Sequence, residues 1–426
     1  MKRTVDIADV CVIRWLMTAC VKSLPIFALI CVSAHAQNLT ERVDSLLAKW
    51  NQKDEPGMAV LLIRDERIEY RKGFGLADLD AHAPITPDTQ FHLESVTKQF
   101  TAMAILILAD QGKLKLDDTL AKFCPEFPGY ARTITIRHLL NHTSGLPDYS
   151  DSLMGDLFDD PDYFRSSKSP PAAHEFTAAE ALQALSRQQK LDFPPGFTYE
   201  YSNSGYRVLG QIIERVSGKR YADFLKESIF DPLGMHDTLV IDERRQKVPQ
   251  RLALGYGKPK GRWQDMSYSP DFTYGYRGVI STVNDLYKWD QALYTERLVR
   301  RSTLELAFTL GRKNDGKEII ETRKTDLLKR PCSYGFGWVI SSLDGDKVVE
   351  HTGRSLGYSA YIMRVPSRRV TAILLSNFVN AALLEIAPQM IEIASKPVAV
   401  GTALTDRPPH RSVRAELPHT APTSGA

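Results

Sequence analysis

Ser95 and Lys98 stand three residues apart at the head of "FHLESVTKQFTAMAILILADQGK". Residues three apart on a helix are surface neighbours, so the hydroxyl and the amine can come within hydrogen-bond reach of each other. Serine is a poor nucleophile until a neighbour removes its proton, and a lysine can do that only when neutral. Burial in a largely apolar wall would favour the neutral form. Read alone, the pair is better explained as an N-terminal capping serine and a snorkelling surface lysine. Two further groups of residues bear on the choice. Tyr201 and Asn203, in "TYEYSNSGYRVLGQIIERV", sit two apart before a helical pattern, so their side chains can share one side of an extended segment. His351, Thr352 and Gly353, in "EHTGRSLGY", end a strand-like segment, and Gly353 allows another backbone or a ligand to come close.

The elements around these residues follow from periodicity. Phe100, Met103, Ala104, Ile107 and Leu108 recur at helical spacing, which predicts a helix from Phe91 to Lys113 with a core-facing stripe. "LTERVDSLLAKW" is also helical, and "GMAVLLIRDERIEYRKGFG" reads as two strands joined at Arg64 to Glu66. From about 114 to 290 the pattern is mainly helical with long loops, and Thr177 and Glu180 suit a capping box. From Tyr334 onward the period becomes strand-like in four segments, separated by turn signals at Asp344-Gly345 and Pro366-Ser367, and a helix follows from about Ala381 to Ser395. Strands at both ends with helices between them predict an α+β fold: one antiparallel sheet built from both termini and flanked by helices, with an inserted mainly helical subdomain.

Composition bounds the function. The 426 residues are 43% hydrophobic and 25% charged, values of an ordinary globular protein, and the formal charge of +3 with no long basic block implies neither nucleic acid nor an anionic membrane surface as partner. "RLVRR" at 297–301 reads as a solvated helix face. At the N-terminus, "VKSLPIFALICVSAHAQ" places a lysine before an apolar run that ends in Ala34-His35-Ala36, the pattern of a secretory cleavage site. Residues 1–36 are therefore expected to be a signal peptide, and the mature protein to be periplasmic or secreted, with no later segment long enough to span a membrane. Asp6 and Asp9 are unusual in such a leader, which leaves Met17 as a second candidate start. Ile30 disfavours a lipid anchor on Cys31. Of the five cysteines only Cys124 and Cys332 lie beyond the leader, and the sequence leaves open whether they pair. The tail at 397–426 mixes Pro, Thr, Arg and Ala without periodicity and is expected to be disordered.

Taken in order, Ser95-x-x-Lys98, Tyr201-Ser-Asn203 and His351-Thr-Gly353 resemble the motifs of the serine hydrolases related to class C β-lactamases and D-alanyl-D-alanine carboxypeptidases. The resemblance runs from about residue 40 to 395, because "HLLNHTSGLPDY" and "DPLGMHDT" also look like that family's connecting segments. It implies one hydrolase domain over 37–396, an acyl-enzyme on Ser95, and Lys98 or Tyr201 as the base. The backbone N–H groups of Ser95 and Arg354 would stabilise the oxyanion. Asn203 would orient Lys98 and the acyl group, and His351 and Thr352 would line the leaving-group side. The substrate would be a small molecule or peptide, with no cofactor. The histidine in His351-Thr-Gly353 replaces the lysine of class C β-lactamases, which favours an ester or amide hydrolase over a true β-lactamase or D-Ala-D-Ala carboxypeptidase. An imidazole with an ordinary pKa there would also draw carboxylate-bearing substrates more strongly as pH falls toward 6. A non-catalytic penicillin- or peptidoglycan-binding protein remains the reading from another class.

Two rival motifs are set aside on context. Gly353-Arg-Ser355-Leu-Gly357 has the spacing of a nucleophile elbow, but a strand pattern follows it where a helix is required. "GRKNDGKE" at 311–318 has Glu318 where a phosphate loop needs Ser or Thr, and reads as a turn. The ten histidines show no paired-ligand spacing, so no metal is expected.

Overall fold

The computed structural model describes residues 39–148, 178–241, 249–267, 274–320, 330–355, 357–379 and 382–395. The expected leader, the C-terminal tail and the capping residue Thr177 lie outside them. Strands β1 (Met58–Arg64), β2 (Arg67–Phe74), β3 (Ser333–Tyr334), β4 (Val339–Leu343), β5 (Asp346–Arg354), β6 (Ser359–Val365) and β7 (Val370–Ser376) form a seven-stranded sheet in the order β3-β4-β5-β6-β7-β1-β2. Every pairing is antiparallel, and the two ends of the chain meet where β1 pairs with β7, from Met58 opposite Ser376 to Arg64 opposite Val370. Asp65 and Glu66 both take positive φ, 48° and 67°, which closes the first hairpin in the turn geometry that matches strand twist. Asp344 and Gly345 do the same between β4 and β5.

Both faces of this sheet are covered, which is why β1 is apolar from Met58 to Ile63 rather than alternating. Met58, Val60 and Leu62 join Tyr361, Met363 and Leu374 in one core, closed by a helix α1 over residues 39–47 that contributes Leu39, Val43 and Leu47. Ala59, Leu61 and Ile63 face the second core, which holds helices α2 (Thr97–Asp110), α3 (Asn203–Ser217) and α4 (Val283–Ala292). Helix α5 (Leu383–Ser395) returns to the first face through Ile386, Met390 and Ile391. The expected α+β architecture is present.

Helix α2 departs from its predicted form at its start. Phe91 and His92 are a strand, paired with Ser281 and Ile280, and Glu94–Val96 is a 3-10 turn entered with Glu94 at φ 51°. Leu93 N–H is drawn to the carbonyl of Val279, far along the chain, so local periodicity had no means of signalling the later start. Every residue from Thr97 to Leu108 is buried, because the helix lies between the sheet and the helical lobe instead of at a surface. The "RLVRR" stretch is a bend that leads into a helix at Arg301–Ala307, with Val299 in the core, rather than a helix face. Cys124 and Cys332 are separate buried thiols.

Candidate active site

The 3-10 turn and the first turn of α2 put Ser95 and Lys98 side by side, with Lys98 Nζ 3.1 Å from Ser95 Oγ. Nζ also donates to Asn203 Oδ1 at 2.7 Å and to the carbonyl of Tyr276 at 3.3 Å. Lys98 is completely buried, and desolvation holds its pKa well below the ordinary lysine value. The charges of Asp148 and Glu94 oppose that shift, and Arg277 adds to it. A neutral amine has two hydrogens and one lone pair. In that form Asn203 and Tyr276 would take up the two hydrogens and leave the lone pair toward Ser95. Lys98 is therefore no snorkelling surface residue, because its amine lies inside the protein.

Asn203 is the first residue of α3, whose N-cap Ser202 accepts the Gly205 N–H. The Asn203 N–H donates to Asp148 Oδ2 at 2.8 Å. Tyr201 lies on the other side of that cap, with Lys98 Nζ 4.7 Å from its ring centroid. Tyr276 closes the arrangement with its carbonyl and with its ring, 5.4 Å from the same nitrogen. The sequence assigns neither Asp148 nor Tyr276 a chemical role, although Tyr276 lies in the tyrosine-rich stretch "YSPDFTYGYRG", which could line an acyl pocket. Asp148 ends a connecting segment with no chemical signal of its own, and Tyr276 enters through a backbone atom, which has no sequence signature.

Strand β5 brings the third group. A Cβ on Gly353 would lie 2.1 Å from the carbonyl oxygen of Leu93 and 3.0 Å from Glu94 Cβ, so the strand passes against the turn that carries Ser95 at a separation only glycine permits. Arg354, the last residue of β5, and Ser95, at a helix N-terminus where N–H groups are free of intrahelical partners, are thus carried on two backbones in direct apposition. Thr352, between His351 and Gly353 along the strand, is half-buried. His351 is only 3% exposed, and its Nδ1 lies 2.6 Å from the Thr352 carbonyl while its Nε2 lies 2.8 Å from the Tyr334 hydroxyl. Burial, followed by the charge of Lys98, pushes its pKa down to about 3. The expectation of an ordinary imidazole that charges near pH 6 is therefore corrected.

The rival motifs are absent as sites. After Ser355, whose N–H donates to the Tyr358 carbonyl at 3.1 Å, the chain turns directly into β6, not into a helix. Residues 311–318 form a turn tied by Gly316 N–H to the Lys313 carbonyl. Among the described residues no cluster of His, Cys, Asp and Glu could hold a metal ion, and no helix is long and apolar enough to cross a membrane.

A family model described as Beta-lactamase matches residues 35–394. The chain is 33% identical over 357 residues to Penicillin-binding protein 4* of Bacillus subtilis (strain 168), covering 80% of this chain and 72% of that one. It is 27% identical over 335 residues to the D-aminopeptidase of Gluconobacter oxydans (strain 621H), covering 77% of this chain but only 57% of that relative. Among solved structures, the octameric penicillin-binding protein homologue from Pyrococcus abyssi gives a TM-score of 0.69 at 27% identity, covering 84% and 77% of the two chains. The D-amino acid amidase from Ochrobactrum anthropi SV3 gives 0.68 at 25% identity, covering 84% and 98%.

Proposed function

The chain belongs to the β-lactamase family, and from that premise we propose that it is an exported serine hydrolase that cleaves an ester or amide through an acyl-enzyme on Ser95. The observation that carries this reading is the buried Lys98 amine 3.1 Å from Ser95 Oγ, with its pKa lowered by desolvation. Neutral Lys98 takes the Ser95 proton as Oγ bonds to the substrate carbonyl carbon, and the carbonyl π electrons move to oxygen. The resulting oxyanion sits between the N–H groups of Ser95 and Arg354. Collapse of this intermediate expels the alkoxide or amine, which receives the proton from Lys98 or by way of Tyr201. Water, deprotonated by the same base, then attacks the acyl ester and releases the acid and free Ser95.

Two features support an ester or amide over a β-lactam. His351, in the position of the β-lactamase lysine, is buried and neutral, so it offers no cation to a substrate carboxylate. The relatives named D-aminopeptidase and D-amino acid amidase act, by those names, on amides of D-amino acids. Export rests on the expected leader at 1–36, followed by the hydrolase domain over 37–396.

The test has two parts. Intact mass and peptide mapping after reaction with a fluorophosphonate should place the adduct on Ser95, and a rate comparison should rank a short-chain p-nitrophenyl ester and a D-amino acid amide above a chromogenic cephalosporin. Labelling elsewhere would end the acyl-enzyme assignment, and a cephalosporin hydrolysed fastest would make the protein a β-lactamase. Export is read separately, from the N-terminus of protein recovered outside the cytoplasm, where Gln37 is expected.

A further inference from the structure

We propose that His142 is a positioning residue that sets Tyr201 for proton transfer; the inference rests on the acyl-enzyme reading above. His142 lies in "NHTSG", outside all three motifs, buried and with φ 57° in the left-handed region. Its carbonyl accepts the Glu200 N–H at 2.9 Å, and its ring Nδ1 accepts the Ser202 N–H at 3.0 Å. One residue therefore grips the backbone on both sides of Tyr201. Its ring lies against the Tyr201 ring, centroids 4.3 Å apart and planes 34° apart, and meets Tyr334 edge to face at 4.4 Å. Since Nδ1 takes a backbone N–H, the imidazole carries its proton on Nε2.

The rest of the segment is fastened in the same way. Thr143 accepts the Gly196 N–H at 2.7 Å, Gly145 accepts the Asp192 N–H at 2.9 Å, and Asp148 accepts the Asn203 N–H at 2.8 Å. A Cβ on Gly145 would stand 2.0 Å from the Phe193 carbonyl oxygen, so the two backbones lie in contact. Tyr201 itself belongs to no helix or strand. This zipper fastens the backbone on either side of it, and within the zipper His142 alone also lays a ring against the Tyr201 ring. A catalytic group displaced by about 1 Å loses on the order of a hundredfold in rate, so the clamp bears on turnover more than on substrate affinity.

The experiment uses two substitutions that both tolerate a left-handed backbone, so that strain does not confound the comparison. His142→Asn places an amide oxygen close to where Nδ1 stood, whereas His142→Gly removes both ring and acceptor. On a p-nitrophenyl ester, His142→Gly should lower kcat by about 10²-fold with little change in KM, and His142→Asn should recover about tenfold of that loss. The rate of fluorophosphonate labelling at Ser95 should follow the same order, in protein of matched melting temperature. Wild-type kcat in folded His142→Gly overturns the proposal, as does a folded His142→Asn no faster than His142→Gly. Should His142→Gly fail to fold, His142→Asn alone decides: a kcat more than about a hundredfold below wild type in folded protein overturns the proposal, and a smaller loss supports it. Ser95→Ala serves as the separate control, because turnover surviving in it removes the acyl-enzyme reading whatever the His142 variants do.

Discussion

Tyr334 donates its hydroxyl proton to His351 Nε2 across 2.8 Å. The direction is fixed from the other side of the ring, where Nδ1 faces the Thr352 carbonyl at 2.6 Å and must be the donor, because a carbonyl oxygen only accepts. His351 is thus a neutral imidazole with both nitrogens engaged. The ratio of kcat/KM for a carboxylate-bearing amide over its neutral analogue should therefore show no rise from His351 between pH 8 and 6. His351→Lys should move that ratio toward the carboxylate, by up to about 1 to 2 kcal/mol, at pH values low enough for the buried new amine to carry its charge. A ratio that climbs toward pH 6 in the wild type and is flat in His351→Gln would show that the imidazole does charge.

The same burial makes His351 a source of acid sensitivity. Its folded pKa of about 3 lies below the ordinary value of 6.5, so the neutral ring is favoured by the fold. Its contribution is fully present above about pH 6.5 and is lost as pH falls toward 3, with an upper bound on the order of 5 kcal/mol. His92, buried against the Tyr358 ring and also lowered by desolvation, acts in the same direction. Denaturant unfolding at a series of pH values should give a shallower acid limb for His351→Gln than for the wild type. Equal slopes would sink the assignment.

Lys98 carries a linkage of the same sign at the other end of the scale. Its folded pKa is well below that of a free lysine, so its share of stability is present above the unfolded value near 10.5 and declines as pH falls through the folded one. Lys98→Met removes the titrating group. The melting temperature of the wild type relative to this variant should rise as pH goes from 7 to 10, and the variant should lose about 10² to 10⁴ in turnover. A difference in melting temperature that stays constant over that range would mean the amine titrates alike in folded and unfolded chains.

Much of this architecture could be read from the chain because the information was local. The run Met58–Ile63 is apolar throughout since both of its sides are buried, and the turn residues Asp65, Glu66, Asp344 and Gly345 sit where the hairpins close. The proximity of Ser95 and Lys98 followed from helical spacing alone. What escaped was set by partners distant in sequence. The 3-10 entry at Glu94 depends on the Phe91–Ser281 pairing, and the buried, neutral state of His351 depends on Tyr334 and on Lys98. Tyr276 contributes a carbonyl and His142 a ring nitrogen to a backbone N–H, and no side-chain pattern announces either contact.

Gly353 offers the most direct test of how the sheet and α2 are joined. An added Cβ would stand 2.1 Å from the Leu93 carbonyl oxygen, a backbone atom that cannot rotate out of the way. Either β5 or the turn at Glu94–Val96 must shift, and Ser95 follows Leu93 by two residues. Gly353→Ala should cost about 1 to 3 kcal/mol from overpacking. It should also lower kcat by about 10² to 10³, the scale of a misplaced oxyanion donor, because the proposed donors, the N–H groups of Ser95 and Arg354, ride on the two backbones that must part. Gly218→Ala is the control: it has φ 70° and nothing within 4 Å of its would-be Cβ, so it should cost roughly 1 kcal/mol from backbone strain and leave kcat unchanged. Equal kcat values for Gly353→Ala and Gly218→Ala, each measured on folded protein, would separate the strand from the chemistry.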